Sequence, residues 1–585
     1  LSPIRKTDDN LSLIRAVYEW QGSPLMFLVE ADDLQGKPDR LLFIRRLLAM
    51  RGDAPYLGVV APGRLDVYRI ALDDERVPKK IAVQDGDNLN SELILPYLAN
   101  KRPDAALSNQ RWISEVVLGL LTDAIDALIL VDGINHEDAI SLVGRALFTR
   151  FLADRSLLPN DLGENPSLLF DDADCARSTS EWLDRTFNGD LLPLSDGIFD
   201  ALPGQGCFIL GNILRRAPRG QLSLDWAEQW DRLDFAHIPV GVLSQAYELY
   251  LRNHTPLTQR REGGYYTPRP IADLVVRAAF KGLEDRNRLE GAKVLDPAAG
   301  AGVFLLTAFR ELVAAEWRMT GVRPATADLR RILYGQITGF DINEAALRFG
   351  ALGLYLISIE LDPSPQPVDK LAFSNLRGHV LHLLQDEDGD ASGLGSLGPL
   401  VGEEHQQRYD VVIGNPPWAS GTKLANWSFT RKLVSQIAKK RGVEGNPALL
   451  PNEVLDLPFV WRAMEWAKAE GQIAFALHGR MLFQQGDGMP SARQAIFDAL
   501  DVTSIVNGSE LSETKVWPEI NAPFCLLFAC NRRPSPEAAF RFVSPHRETS
   551  LNASGRMRVD ALNAELIASE RLRGTPELFK MLFRG

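Results

Sequence analysis

The apolar run Tyr409-Asp410-Val411-Val412-Ile413-Gly414 ends in Asn415-Pro416-Pro417-Trp418, which joins a strand to one amide, two prolines and an indole. An amino group on a planar base finds two acceptors there, the Asn415 side-chain oxygen and the Pro416 carbonyl, and Trp418 offers a ring to stack on. Proline fixes φ and has no N–H to donate, so Pro416 and Pro417 stiffen the loop and turn its carbonyls outward. A second stretch, Lys293-Val294-Leu295-Asp296-Pro297-Ala298-Ala299-Gly300-Ala301-Gly302-Val303-Phe304, reads as a short strand, a small-residue turn and an amphipathic helix reaching about Ala315. Gly300 and Gly302 allow backbone angles closed to other residues and leave amide N–H groups at a helix N-terminus for a carboxylate or phosphate. A Gly-x-Gly after a strand is common to many nucleotide-binding folds, and a bare tight turn is the competing reading. Ile337-Thr338-Gly339-Phe340-Asp341-Ile342-Asn343 supplies the next strand and ends in an acid where a ribose diol lies in a doubly wound sheet. A helix and a loop around Thr320 to Ala327 intervene, a longer separation than the roughly 20 residues of the dinucleotide-binding fold, which disfavours a dehydrogenase.

Further strands must carry these loops. Gly471-Gln472-Ile473-Ala474-Phe475-Ala476-Leu477 reads as a buried strand, followed by Met481-Leu482-Phe483, where Phe483 lines either the pocket or the core. Ser504-Ile505-Val506 and Pro523-Phe524-Cys525-Leu526-Leu527-Phe528 read as the last two strands, with Trp517 before the final one as a packing residue.

The ordered set Asp296 to Gly302, Asp341 and Asn415 to Trp418 resembles the gamma-class DNA adenine-N6 methyltransferases, particularly the Type IIG restriction–modification enzymes. Upstream, Gly263-Gly264-Tyr265-Tyr266-Thr267-Pro268-Arg269-Pro270 is similar to that family's first cofactor motif. The resemblance covers about 240 to 532 and implies a Rossmann-like, seven-stranded α/β domain that uses S-adenosyl-L-methionine. It places the cofactor against Tyr266, Thr267, Pro268, Asp296, Ala298, Gly300, Gly302, Asp341 and Ile342, and the transfer at Asn415, Pro416, Pro417 and Trp418. Trp stands where Tyr is commoner in the family. The family's acid after the third strand has no counterpart in Leu371-Ala372-Phe373-Ser374-Asn375-Leu376, which offers the amide of Asn375. The implied product is N6-methyladenine in double-stranded DNA, made on a flipped base for self-marking in restriction–modification or phage defence. Methylation of RNA or of protein glutamine, and a DNA-binding assembly subunit of a defence complex, are the alternatives.

The chain has 585 residues, 45% hydrophobic and 24% charged, which is ordinary for a globular protein of several domains. Cys175, Cys207, Cys525 and Cys530 show no metal-binding or disulfide spacing, the eight histidines are scattered, and no apolar run spans a bilayer, so a cytoplasmic protein without a metal site is expected. The net charge of −12 disfavours general nucleic-acid binding. Locally, however, Lys423, Arg431, Lys432, Lys439, Lys440 and Arg441 follow the Asn415 loop with no acid among them, interleaved with Trp427 and Phe429, and suit phosphates as well as a solvated helix face. Arg252, Arg260 and Arg261 form a similar cluster.

Four segments are expected. Residues 1–107 read as a small α/β module in the place of a Type IIG nuclease, but Asp39, Asp66, Asp73 and Asp74 form no metal-binding triad with a lysine. Residues 108–240 read as a helical connector, with apolar spacing over Trp112 to Ala127 and His136 to Leu158. Within it, Ala146 to Leu158 resembles the connector of Type I and IIG enzymes. Residues 241–532 form the methyltransferase domain, and 533–585 a linker or the start of a target-recognition region. That short remainder, and Leu1 at the start, suggest a fragment or a separate specificity, nuclease or helicase partner.

Overall fold

The computed structural model describes residues 11–20, 23–35, 38–52, 54–72, 77–85, 98, 113–131, 133–159, 162, 165–215, 233–243, 267–365, 373–385, 393–421, 424, 426–445, 447–518, 520, 522–553, 555–560 and 563–584. Two compact units result, Leu1–Tyr250 with Ile359–Phe373, and Leu251–Ser358 with Ser374–Gly585.

In the first unit, β1 (Ile14–Trp20), β2 (Ser23–Glu30), β3 (Tyr56–Ala61), β4 (Arg64–Arg69) and β5 (Lys80–Asp85) lie side by side in chain order. Only β2 and β3 are parallel, and the helix Pro38–Arg51 lies between them in sequence, as a parallel crossover requires. Asp66 on β4 is held by Arg64 at 2.9 Å and Lys80 at 2.7 Å. Burial works against its carboxylate, yet these two cations hold it below the usual range. Asp39 opens the helix Pro38–Arg51; Asp73 and Asp74 lie outside the described residues. Among the described residues no cluster of His, Cys, Asp and Glu suits a metal ion, and no helix is long and apolar enough to cross a membrane.

The helices Ile113–Ile129, His136–Asp154, Ala173–Thr186 and Gly204–Leu214 follow. Asn135 and Asp172 cap two of them, accepting from Asp138 N at 2.8 Å and Cys175 N at 2.7 Å. Buried Arg150 pairs with Asp154 at 2.8 Å and donates to the Ile213 and Leu233 carbonyls at 3.0 and 2.9 Å. One guanidinium thus ties distant chain segments together where no water competes.

The second unit is built on a nine-stranded sheet: β6 (Val294–Asp296), β7 (Ile337–Asp341), β8 (Leu381–Leu383), β9 (Tyr409–Gly414), β10 (Ala467–His478), β11 (Asp501–Asn507), β12 (Phe524–Cys530), β13 (Ala539–Val543) and β14 (Ala564–Ala568). Their order is β14-β13-β11-β12-β10-β9-β6-β7-β8. Strands β6 to β10 run parallel, and β12 runs antiparallel to both neighbours. Val411, Val412 and Ile413 are fully buried, as expected of a parallel strand covered on both faces.

Seven strands, β6 to β12, make the Rossmann-like α/β arrangement expected from the sequence. Two further strands lie beyond these seven. Residues 533–585, expected as a linker or the start of a recognition region, extend the same sheet through β13, parallel to β11, and β14. The alternation in Ala539-Phe540-Arg541-Phe542-Val543 buries Phe540 and Phe542, which pack against Phe579 at 5.9 and 5.4 Å.

Candidate active site

The chain runs from β6 outward to β7 and β8, then returns to the other side of β6 to form β9. Ligands in open α/β sheets sit beyond the carboxyl ends of the strands at such a reversal. The two strands flanking this one end in Asp296 and in Gly414-Asn415. Pairing of Val294 with Val411 and Leu295 with Val412 brings those ends level. A side chain at Gly414 would put its Cβ 2.7 Å from Asp296 Oδ1, so glycine there lets the two loops meet.

The Asn415 carboxamide is oriented by its neighbour. Nδ2 donates to Thr267 Oγ1 at 3.0 Å, and Thr267 is buried just ahead of Pro268, which caps the helix Arg269–Glu284. With Nδ2 committed, the amide plane leaves Oδ1, itself buried, as the acceptor arm. Tyr266 lies outside the described residues.

On the β6 side, Asp296 is fully buried. Its Oδ1 accepts from Ala298 N at 3.1 Å, whereas Oδ2 is buried with no hydrogen-bond partner among the described residues. Burial pushes this carboxyl up to about 8, helped by Asp341 and opposed by the Ala298 N–H. Asp341, ending β7, accepts from Gly300 N at 2.7 Å and Asn343 N at 2.8 Å, which ties the glycine turn to the second strand. Gly300 and Gly302 have φ of +53° and +82°, left-handed angles that side chains strain to adopt. Ile342 meets the backbone of Gly395, where an added Cβ would lie 2.8 Å from Ile342 Cγ2.

Trp418 is more enclosed than an open stacking platform. Only 5% of it is exposed, its Nε1 donates to Ala476 O at 3.4 Å, and its ring lies 5.3 Å from Trp517 and 5.6 Å from His478. Phe483 is partly buried against the core.

Asn375 departs from expectation. It precedes β8, is exposed, and accepts from Arg377 N at 2.9 Å in a turn at the amino end of that strand, opposite to the end where the site lies. At the carboxyl end stands Gln385, whose Nε2 donates to Ile342 O and whose neighbour Leu384 N donates to Asp341 O at 2.8 Å. Gln385 and Ser396, which donates to Pro297 O at 2.7 Å, are site residues that sequence reasoning missed. Neither lies in a recognisable motif, and β8 is only three residues long.

The basic stretch after the loop forms the helix Trp427–Lys440. Acids from elsewhere meet part of it: Arg431 pairs with Glu453, and Lys440 lies 4.0 Å from Glu465. Arg441 donates to the Met464 carbonyl at 2.8 Å and to Asn531. Lys432 and Lys439 are exposed. Lys423, Arg252, Arg260 and Arg261 lie outside the described residues.

Residues 240–553, more than half of the chain, match the family model described as N-6 DNA Methylase. The chain belongs to the N-6 DNA methylase family. Every described residue of the site lies within the matched stretch. Among curated relatives, the EcoKI Type I restriction enzyme methylase subunit of Escherichia coli (strain K12) is 28% identical over 273 residues, which are 46% of this chain and 40% of that one. The StySPI methylase subunit of Salmonella potsdam is 27% identical over 246 residues, 41% of this chain and 36% of that one. The chain thus spans about two fifths of the length of these relatives. Among solved structures, the type IIG restriction endonuclease BpuSI aligns over 96% of this chain and 59% of its own, at 14% identity and a TM-score of 0.45. DrdV in its DNA complex aligns over 94% and 53%, at 14% identity and a TM-score of 0.48.

Membership of the N-6 DNA methylase family implies a methyl donor. The residues present suit one that brings a hydrogen-bond donor to the β6 end. A buried carboxylate oxygen that lacks a donor is costly unless a ligand supplies one, and Asp296 Oδ2 is such an atom. Beside it, a Cβ added to Gly300 would meet nothing within 4 Å, so the turn faces open space.

Proposed function

We propose that this chain transfers a methyl group from S-adenosyl-L-methionine to the N6 of an adenine extruded from double-stranded DNA. The observation that carries the reading is the placement of Asp296 and Asn415 at level carboxyl ends of adjacent strands, where the strand order reverses. When bound, the cofactor supplies a methyl group on a sulfonium leaving group. The protein's work is to hold and orient.

Asp296 and the backbone around Gly300 and Gly302 would take the methionine end, while Asp341 would face the ribose. Across the crevice, Asn415 Oδ1 and the Pro416 carbonyl would accept the two N6–H bonds. Those acceptors draw the nitrogen out of conjugation and stabilise the positive charge that grows on it, an electrostatic contribution aimed at the transition state. Alignment of donor and acceptor supplies much of the rest. Thr267 keeps the Asn415 amide in the accepting orientation.

Trp418 is the proposed stacking partner for the extruded ring, its indole already held by Trp517 and His478. Trp418→Ala is expected to weaken productive binding of DNA by about 1–3 kcal/mol, the range for one base on one aromatic ring. Steady-state KM for DNA, with cofactor affinity as the unaffected control, checks this.

Asp296 gives the site a pH dependence. In the free protein burial holds its carboxyl up to about 8, and an ammonium placed beside it favours the ionised form. Cofactor affinity is therefore expected to rise as pH rises to about 8, with a proton released on binding below that value. The free fold responds in the opposite sense. Its folded state binds the extra proton, so this group's contribution to stability is lost as pH rises through about 8. Calorimetric titration at neutral pH in two buffers of different ionisation enthalpy measures the released proton, and an identical heat in both contradicts the assignment.

The experiment that tests the reading as a whole is transfer of labelled methyl from S-adenosyl-L-methionine to unmethylated bacterial DNA. Label on adenine N6 is expected. Label confined to RNA or protein contradicts it.

A further inference from the structure

A polar cluster behind the Asn415 loop has no role in the chemistry above. The Trp418 carbonyl accepts from Arg480 Nη2, and Arg480 opens the short helix Arg480–Phe483 that follows β10. The same Nη2 lies 3.9 Å from Oδ1 of Asp456. Asp456 is fully buried at the start of the helix Asp456–Trp466, and its Oδ2 accepts from His478 N at 3.3 Å. Arg480 N in turn donates to His478 Nδ1 at 3.0 Å, and the His478 ring meets the Trp418 indole edge-on. One residue further along the loop, the Ala419 carbonyl accepts from Leu455 N at 3.0 Å, next to Asp456. Two successive loop carbonyls are thus held from one side.

A merely structural loop anchor could use neutral donors. Arg480 is only partly buried, but Asp456 is fully buried 3.9 Å from it, and burying a carboxyl there is expensive, so the choice of an arginine beside it calls for a reason. The reaction supplies two. Asn415 and Pro416 must hold their positions relative to the base amino group, since a misplacement of about 1 Å costs about 10²-fold, and a charge-assisted bond to the loop's last carbonyl is stiffer than a neutral one. Positive charge also builds on that amino nitrogen, so a guanidinium nearby opposes transfer unless an anion cancels it. Asp456 is the carboxyl group placed to do so: burial raises its pKa, and the Arg480 cation and the His478 N–H work against that rise.

We infer that Arg480, held beside Asp456, is a positioning residue for methyl transfer that fixes the Asn415-Pro416-Pro417-Trp418 loop through the Trp418 carbonyl. The inference rests on the reading of this loop as the base-methylating one. It predicts a fall in turnover without loss of cofactor. In the full chain, Arg480→Gln is expected to lower kcat by about 10²-fold, the effect of a misplacement near 1 Å, with cofactor affinity unchanged. Arg480→Lys should recover only part, because an ammonium on a flexible stem lacks the planar guanidinium that sets Nη2 against the Trp418 carbonyl. Guanidinium ion should restore part of the turnover of Arg480→Ala. Asp456→Asn should also slow transfer, since it keeps the shape and leaves the cation uncompensated.

A second readout needs no DNA. With 5-fluorotryptophan incorporated, the Trp418 fluorine resonance is assigned by its disappearance in Trp418→Phe. Arg480→Gln should move that resonance and leave those of Trp461 and Trp466, in the core of the same unit, in place. Turnover equal to the wild type, or an unmoved Trp418 resonance, overturns the inference. If the Trp418 resonance moves but the wild type methylates no DNA, the methylation reading fails, and Arg480 still stands as the anchor of this loop.

Discussion

Asn415→Ala should abolish methyl transfer while leaving cofactor binding intact. The substitution removes the side-chain acceptor for the base amino group and releases Thr267 Oγ1 from the Nδ2 bond at 3.0 Å, so the loop loses its acceptor and its register together. Loss of one preorganised group at a developing charge costs about 10²–10³ in kcat, and here the lost group is one of only two proposed acceptors. Asp296 and Asp341 lie on other strands and Gly300 in the turn after the first of them, so cofactor affinity measured by calorimetry should match the wild type. Asn415→Asp is expected to fall between the two, since its carboxylate still accepts and Thr267 can turn its hydroxyl to donate. Equal transfer by Asn415→Ala and the wild type would remove this loop from the mechanism.

Asp341→Ala should give the opposite pattern, a large loss of cofactor affinity. The carboxylate accepts Gly300 N at 2.7 Å and Asn343 N at 2.8 Å, so it sets the glycine turn as well as facing the proposed ribose site. Each amide left without an acceptor costs about 1–3 kcal/mol. Every 1.4 kcal/mol of that cost that falls on the bound state weakens binding about tenfold. The loss of the ribose contact adds to this. Asp341→Asn should recover part of the affinity, because one carboxamide oxygen can replace only one of the two acceptors. Calorimetric titration with S-adenosyl-L-methionine distinguishes these outcomes, and wild-type affinity in Asp341→Ala would exclude the ribose assignment.

The strands that carry the site were legible because each is a short apolar run that ends in polar or small residues. Val294 to Asp296, Ile337 to Asp341 and Tyr409 to Gly414 are all strands in the structure, and their order follows from the chain's return to the other side of β6. Asn375 misled because β8 has three residues, too few to show a period, and the turn before it carries more polar signal than the strand itself. The enclosure of Trp418 was illegible for another reason. Its partners Ala476, His478 and Trp517 come from β10 and from the segment before β12, and no local pattern reports a packing contact across 58 or more residues. The Arg480 and Asp456 pair is hidden in the same way, each residue being unremarkable in its own segment. The basic stretch after the loop shows a further limit of reading charge along the chain, because Glu453 and Glu465 are supplied from elsewhere in the fold.

The crevice between β6 and β9 is proposed to join a methyl donor to an adenine amino group. The most direct test is to incubate the chain with unmethylated bacterial DNA and methyl-labelled S-adenosyl-L-methionine, then digest the DNA and identify the labelled nucleoside by mass spectrometry. The expected result is N6-methyldeoxyadenosine, absent when Asn415→Ala replaces the wild type. Label on any other nucleoside, or none on DNA from a protein that binds the cofactor, would contradict it.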